Sequence, residues 1–92
     1  MNIEDQLERF REEKFSHLSA EEHLASVNDS IEKYRQIHLS IELFDRREGS
    51  LHDAELELTR EAIGKGCKYV TNLDYSSDDS SIRIIARGLI KK

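Results

Sequence analysis

Ile37-His38-Leu39-Ser40-Ile41-Glu42-Leu43 decides the fold, because an aliphatic residue recurs there at every second position. A period of two marks a strand with one face against a core. Continued as helix, the segment would put Leu39 and Leu43 on the face of Glu32 and Gln36, whereas a pleat gathers Ile37, Leu39, Ile41 and Leu43 on one side. The segment therefore reads as a strand.

Upstream of it the apolar period is helical. Ile3, Leu7 and Phe10 share one face of a first helix, with Glu4, Asp5, Glu8, Glu12 and Glu13 largely elsewhere. Ser19-Ala20-Glu21-Glu22 has a hydroxyl at the N-cap and a glutamate three residues on, the capping box that satisfies two orphan amides. A second helix starts there, with Ala20, Leu24, Val27, Ile31 and Tyr34 as its apolar stripe, and gives way to the strand soon after Tyr34.

Downstream, Arg46-Arg47-Glu48-Gly49-Ser50 reads as a turn, with Ser50 as N-cap and Asp53 at N3 of a third helix. This helix runs to about Lys65, where Gly64 and Gly66 bracket its end and a lysine sits beside the last carbonyls. It carries two stripes, Leu51/Ala54/Leu58/Ala62 and, about 100° or more around the axis, Leu56/Ile63, with Glu55 between them. One stripe suits the helix's own sheet. The other needs a second partner.

A second strand follows, with Cys67, Tyr69, Thr71, Leu73 and Tyr75 alternating against Lys68, Val70, Asn72 and Asp74. After the polar loop Ser76-Ser77-Asp78-Asp79-Ser80 comes a third, in which Ile82, Ile84, Ala86, Gly88 and Ile90 oppose Arg83, Ile85, Arg87 and Leu89. Gly88 marks a bulge or bend on this reading. Being apolar on much of both faces, the third strand belongs in the centre, antiparallel to both neighbours. The fold class is α+β: two N-terminal helices, then a β-α-β-β core with a three-stranded antiparallel sheet. One domain spans 1–92, with a helical arm over 1–35 and the core over 36–92. The acidic helices are expected to cover the outer sheet face, where Arg83, Arg87 and Lys68 would lie.

Composition limits what such a domain does. A chain of 92 residues, 36% charged and 37% hydrophobic, buries a smaller share of its surface than one of about 150 residues, which favours burial between copies of the chain. Fourteen basic and nineteen acidic residues give a net charge of -5, a balance that argues against nucleic acid. Residues 1–32 carry nine acids and three bases, so the acidity belongs to the N-terminal third. One cysteine forms no internal disulfide, and no apolar span suggests a membrane or a leader, so a reducing cytoplasm is the expected location.

No constellation specifies catalysis. Cys67 is a candidate soft-metal ligand if exposed, but a lone thiol at a strand start reads better as a small buried hydrophobe. His38, Ser40 and Glu42 share a strand face about 7 Å apart per step, too far for direct pairing. His17, His23 and His52 do not match an i, i+4 ligand pair. There is no Gly-x-Ser-x-Gly elbow, and Gly64-Lys65-Gly66 ends a helix instead of starting one, so its dipole repels an anion. Arg83, Arg87, Lys91 and Lys92 form a basic stripe, but Tyr69 and Tyr75 are expected on the opposite face.

Ala54-Glu55-Leu56, Arg60-Glu61-Ala62, Gly66-Cys67-Lys68-Tyr69-Val70 and Ile84-Ile85-Ala86-Arg87-Gly88 together resemble the YbjQ-type heavy-metal-binding family. The strand-helix-strand-strand order is also similar to dodecin, without the tryptophan of its flavin platform. The resemblance implies a β-α-β-β core closing into a ring or shell, with ligand held between subunits. The family's Gly-rich N-terminal strands are replaced here by acidic helices, so Cys67 alone carries over as a metal candidate.

The sequence thus leads to a small cytoplasmic homo-oligomer, not an enzyme and without a cofactor, that binds or scaffolds. Leu56, Ile63, Ile3, Leu7 and Phe10 are its expected interface residues, facing further copies or another protein. The alternatives are a small-ligand or soft-metal carrier using Cys67 at a subunit interface, and an acidic inhibitor or immunity-type protein engaging a basic partner.

Overall fold

A computed structural model describes residues 2–44 and 50–92. The chain is α+β, in the order α1 (Ile3–Lys14), α2 (Ala20–Ser26), a 3-10 turn (Ile31–Lys33), β1 (Tyr34–Leu43), α3 (Ser50–Gly64), β2 (Tyr69–Ser77) and β3 (Ile82–Lys91). β3 is central and antiparallel to both neighbours, giving the sheet order β1-β3-β2. The turn expected at 46–49 lies outside the described residues.

Local signals explain where each helix stops. The Asn2 side chain caps α1 by accepting from the Asp5 amide at 2.9 Å, with Glu4 and Asp5 in the first turn and Arg11 and Lys14 in the last, as the macrodipole favours. The Ser19 hydroxyl accepts from the Glu22 amide at α2, as the capping box requires. α2 then ends at Ser26, well short of Tyr34. Asn28 takes a left-handed conformation (φ 57°). Its amide and that of Asp29 donate to Ala25 and Leu24, a Schellman ending with asparagine where glycine is usual. Val27 of the expected stripe is consequently 44% exposed. Gly66 (φ 80°) ends α3 in the same way, its amide and that of Cys67 donating to Ile63 and Ala62.

β1 begins at Tyr34, whose ring is buried on the face opposite Leu39. Its hydroxyl donates to Asp29 at 2.6 Å. That bond, with the Ser30 amide, holds the Asp29 carboxyl down to about 2. Burial and the same carboxylate push the tyrosine up to about 12.

The face assignment of β2 is corrected by one residue. Tyr69 pairs with Leu89 and Thr71 with Arg87, but after a register shift between Thr71 and Asp74 it is Tyr75 that pairs with Ile84. The extra residue is a bulge, and Asn72 adopts φ 56° within it. Tyr69 and Thr71 therefore face outward while Val70, Leu73 and Tyr75 take the α3 side. β3, by contrast, is regular at Gly88, which pairs with both Ile37 and Val70. A Cβ there would lie 2.5 Å from Cys67 Sγ and 3.1 Å from side-chain atoms of Ile37 and Leu39. Close packing, and not a bend, accounts for this glycine.

Two apolar clusters result. Leu39, Ala54, Leu58, Ala62, Cys67, Val70, Leu73, Ile84 and Ala86 fill the space between sheet and α3. Ala20, Leu24, Tyr34, Tyr69 and Leu89 form a second cluster on the other face, which includes α2. The two N-terminal helices thus separate instead of jointly covering the outer face. α1 packs on α3, because Arg11 reaches Glu55 at 3.0 Å and Glu8 reaches His52 at 2.9 Å. Glu55, the residue that divides the two stripes of α3, is where α1 docks.

Candidate functional site

The most exposed regular feature is the outer edge of β1. Ten residues from Tyr34 to Leu43 pair with β3 without a register break, and among the described residues no backbone group pairs with their other side. The edge of β2 is treated differently. Ser16 donates to the Val70 carbonyl at 2.8 Å and Asn72 donates to Leu18 at 2.9 Å, so residues 15–18 run parallel along that strand and close its first half.

The second stripe of α3 stays at the surface, and Leu56 comes near the end of β1. Leu56 is half-buried and Ile63 is 44% exposed. Leu43, Phe44 and Leu56 line one open groove of about 510 Å³, with Glu4, Ser50, Asp53, Glu57 and Arg60 around it. Ile37, Ile41 and Leu43 are themselves only partly covered. The remaining interface candidates divide. Ile3 stays 62% exposed at the start of α1, whereas Leu7 is buried within its own chain and Phe10 packs on the core, edge-on to Phe15 at 6.3 Å. Leu7 and Phe10 are thus engaged internally, because α1 turns that face to its own domain.

Cys67 is closed inside the α3 cluster, and burial pushes its thiol up. A protonated thiol facing Gly88 is not presented as a metal ligand. Among the described residues no three of His, Cys, Asp and Glu come together in a metal-holding group. His38 lies directly across from Arg87, whose guanidinium donates to Gln36 at 3.0 Å, and Arg83 pairs with Glu42 at 2.8 Å. Tyr69 shares this outer face, contrary to the expected alternation, but it is only 9% exposed. Its ring meets His23 edge-on at 4.6 Å, so it is closed to a stacking base.

Sequence reasoning weighed His23 only as a metal ligand. Its Nε2 is buried with no hydrogen-bond partner among the described residues, and desolvation with nearby Lys14 holds its pKa below the usual imidazole range. Lys14, the charge that acts on this histidine, and Lys68 both lie 5.5 Å from the Tyr69 ring that His23 packs on. A folded-state pKa below the unfolded value means that the packing of neutral His23 stabilises the fold above about pH 6.5 and is weakened as the pH falls below it. The urea midpoint is expected to drop more between pH 7.5 and 5.5 in the native chain than in a His23→Phe variant. Equal drops would show that the imidazole does not titrate against folding.

No protein-family model, curated protein or solved structure matches this chain. Among the described residues no helix is long and apolar enough to cross a membrane. The open β1 edge and the neighbouring stripe of α3 therefore carry the functional reading.

Proposed function

We propose that this chain is a small non-enzymatic binding or scaffold protein that works as a homo-oligomer. One observation carries the reading: Leu56 and Ile63 stay at the surface of α3 after its sheet and α1 have docked on it. Leu56 shares its groove with Leu43 and Phe44, beside a strand whose edge is open. An apolar stripe next to unpaired backbone groups is the composition of a surface that another chain completes.

Light scattering of the purified chain across concentrations is expected to give a defined oligomer. Leu56→Glu with Ile63→Glu places two charges in the contact and is expected to weaken association at least tenfold, about 1.4 kcal/mol. The helical and strand circular dichroism of the variant should be retained, since neither side chain belongs to the buried cluster. A native chain that is strictly monomeric up to millimolar concentration contradicts the proposal.

A further inference from the structure

We infer that β1 pairs antiparallel with β1 of a second copy, joining two three-stranded sheets into one of six strands. This rests on the homo-oligomeric reading and specifies its partner and geometry.

Proteins that keep an edge strand unpaired blunt it with charged side chains, lysine above all, with proline, a bulge, short length or a covering segment. β1 carries two charges, Arg35 and Glu42, the second already paired with Arg83. Among the described residues it has none of the other devices: it contains no proline or lysine, runs ten residues, keeps an unbroken register and has no segment along its outer edge. The β2 edge shows the contrast, being shielded by residues 15–18 and broken by the Asn72 bulge. One edge is protected and the other is fitted for pairing.

Charge selects the direction. The start of β1 lies among Lys33, Arg35, Lys91 and Lys92, with Lys91 opposite Tyr34 and the Lys92 amide donating to Lys33. Glu32 and Asp29 offset part of this, Asp29 through its bridge to Lys33 at 3.3 Å. At the other end Glu42 is paired with Arg83 and the β2–β3 turn carries Asp79. Parallel pairing sets the two lysine ends side by side, whereas antiparallel pairing keeps them at opposite ends of the joined strands.

Pairing with cores on the same side covers Ile37, Ile41 and Leu43, which their own chain leaves partly exposed.

Nitroxide labels on Ser40→Cys and, separately, Arg35→Cys test the arrangement by inter-subunit distance, with buried Cys67 as an unlabelled-control position in the native chain. Antiparallel pairing centred near Leu39 places the two Ser40 positions about 7 Å apart along the strands and the two Arg35 positions about 26 Å apart. Short Ser40 and long Arg35 distances are the expected result. Two short distances would mean parallel pairing, and two long ones in a defined oligomer would mean another interface. Either overturns this inference while leaving self-assembly standing, whereas a monomer in the same samples overturns both.

Discussion

Replacing Gly88 by alanine is expected to lower folding stability by about 1–3 kcal/mol, the usual range for forcing a methyl group into a filled core. The backbone there is ordinary β, so the cost is steric. The added carbon would meet Cys67 Sγ at 2.5 Å, with Ile37 and Leu39 next at 3.1 Å. Cys67 lies at the junction of α3 and β2, and Ile37 and Leu39 belong to β1, so relief requires movement on both sides of β3. Removing the sulfur should recover much of the loss: Gly88→Ala in a Cys67→Ala background is expected to cost clearly less than in the native chain, a coupling that a double-mutant cycle isolates. Urea unfolding followed by circular dichroism measures all four proteins, because the chain has no tryptophan to report fluorescence. Equal penalties in both backgrounds would show that the thiol does not press on this glycine.

Asn72→Val is the second large effect, about 2–4 kcal/mol. Three functions meet at this residue. Its backbone occupies φ 56°, where a β-branched residue is strained by roughly 1–3 kcal/mol. Its side-chain oxygen accepts from the Ala20 amide at 3.1 Å, one of the orphan donors at the start of α2. Its own amide donates to Leu18. Valine forfeits the first two, whereas Asn72→Gly keeps the conformation and loses only the side-chain oxygen that accepts from the Ala20 amide and, at 3.3 Å, from the Thr71 hydroxyl. Glycine is therefore expected to cost about 1 kcal/mol, with the loss concentrated in α2. Thermal unfolding separates the two variants, and a valine variant no less stable than the glycine one would remove the bulge from the account.

Periodicity carried much of the architecture, for identifiable reasons. Ile37, Leu39, Ile41 and Leu43 read as one strand face because the pleat sets all four on the α3 side, in an unbroken register with Gly88, Ala86, Ile84 and Ile82. Gly66 ended α3 as expected because glycine at positive φ is the common helix stop. Asparagine does the same work less often, and the two asparagines at φ 57° and 56° account for the main departures. Asn28 ends α2 eight residues before Tyr34, and Asn72 shifts β2 so that Tyr69 and Val70 exchange faces. Neither residue has a flanking pattern that distinguishes it from a surface asparagine.

The surface was legible in part. The split of α3 by Glu55 signalled its own sheet on one stripe and a further element on the other, whereas α1 docks between the stripes, through Arg11 on Glu55. Leu56 and Ile63 were left for a second partner, and they remain at the surface. Leu7 and Phe10 had the same apolar character in sequence but are consumed within the chain, since composition does not distinguish an internal from an external contact. That β1 is an edge strand was legible, because β3 is apolar on both faces and belongs in the centre. That only the β2 edge is shielded was not, since it depends on the placement of residues 15–18 along β2, a product of tertiary packing.

In the proposed dimer the outer edge of β1 is covered by another molecule of the same chain. Amide hydrogen exchange resolved to single residues across Tyr34–Leu43, compared at dilute and concentrated protein, detects that cover. Amides pointing away from β3 are expected to exchange slowly when concentrated and to lose that protection on dilution, while those bonded to β3 stay protected throughout. Outward amides that exchange at the rate of a solvent-exposed edge at every concentration would contradict it.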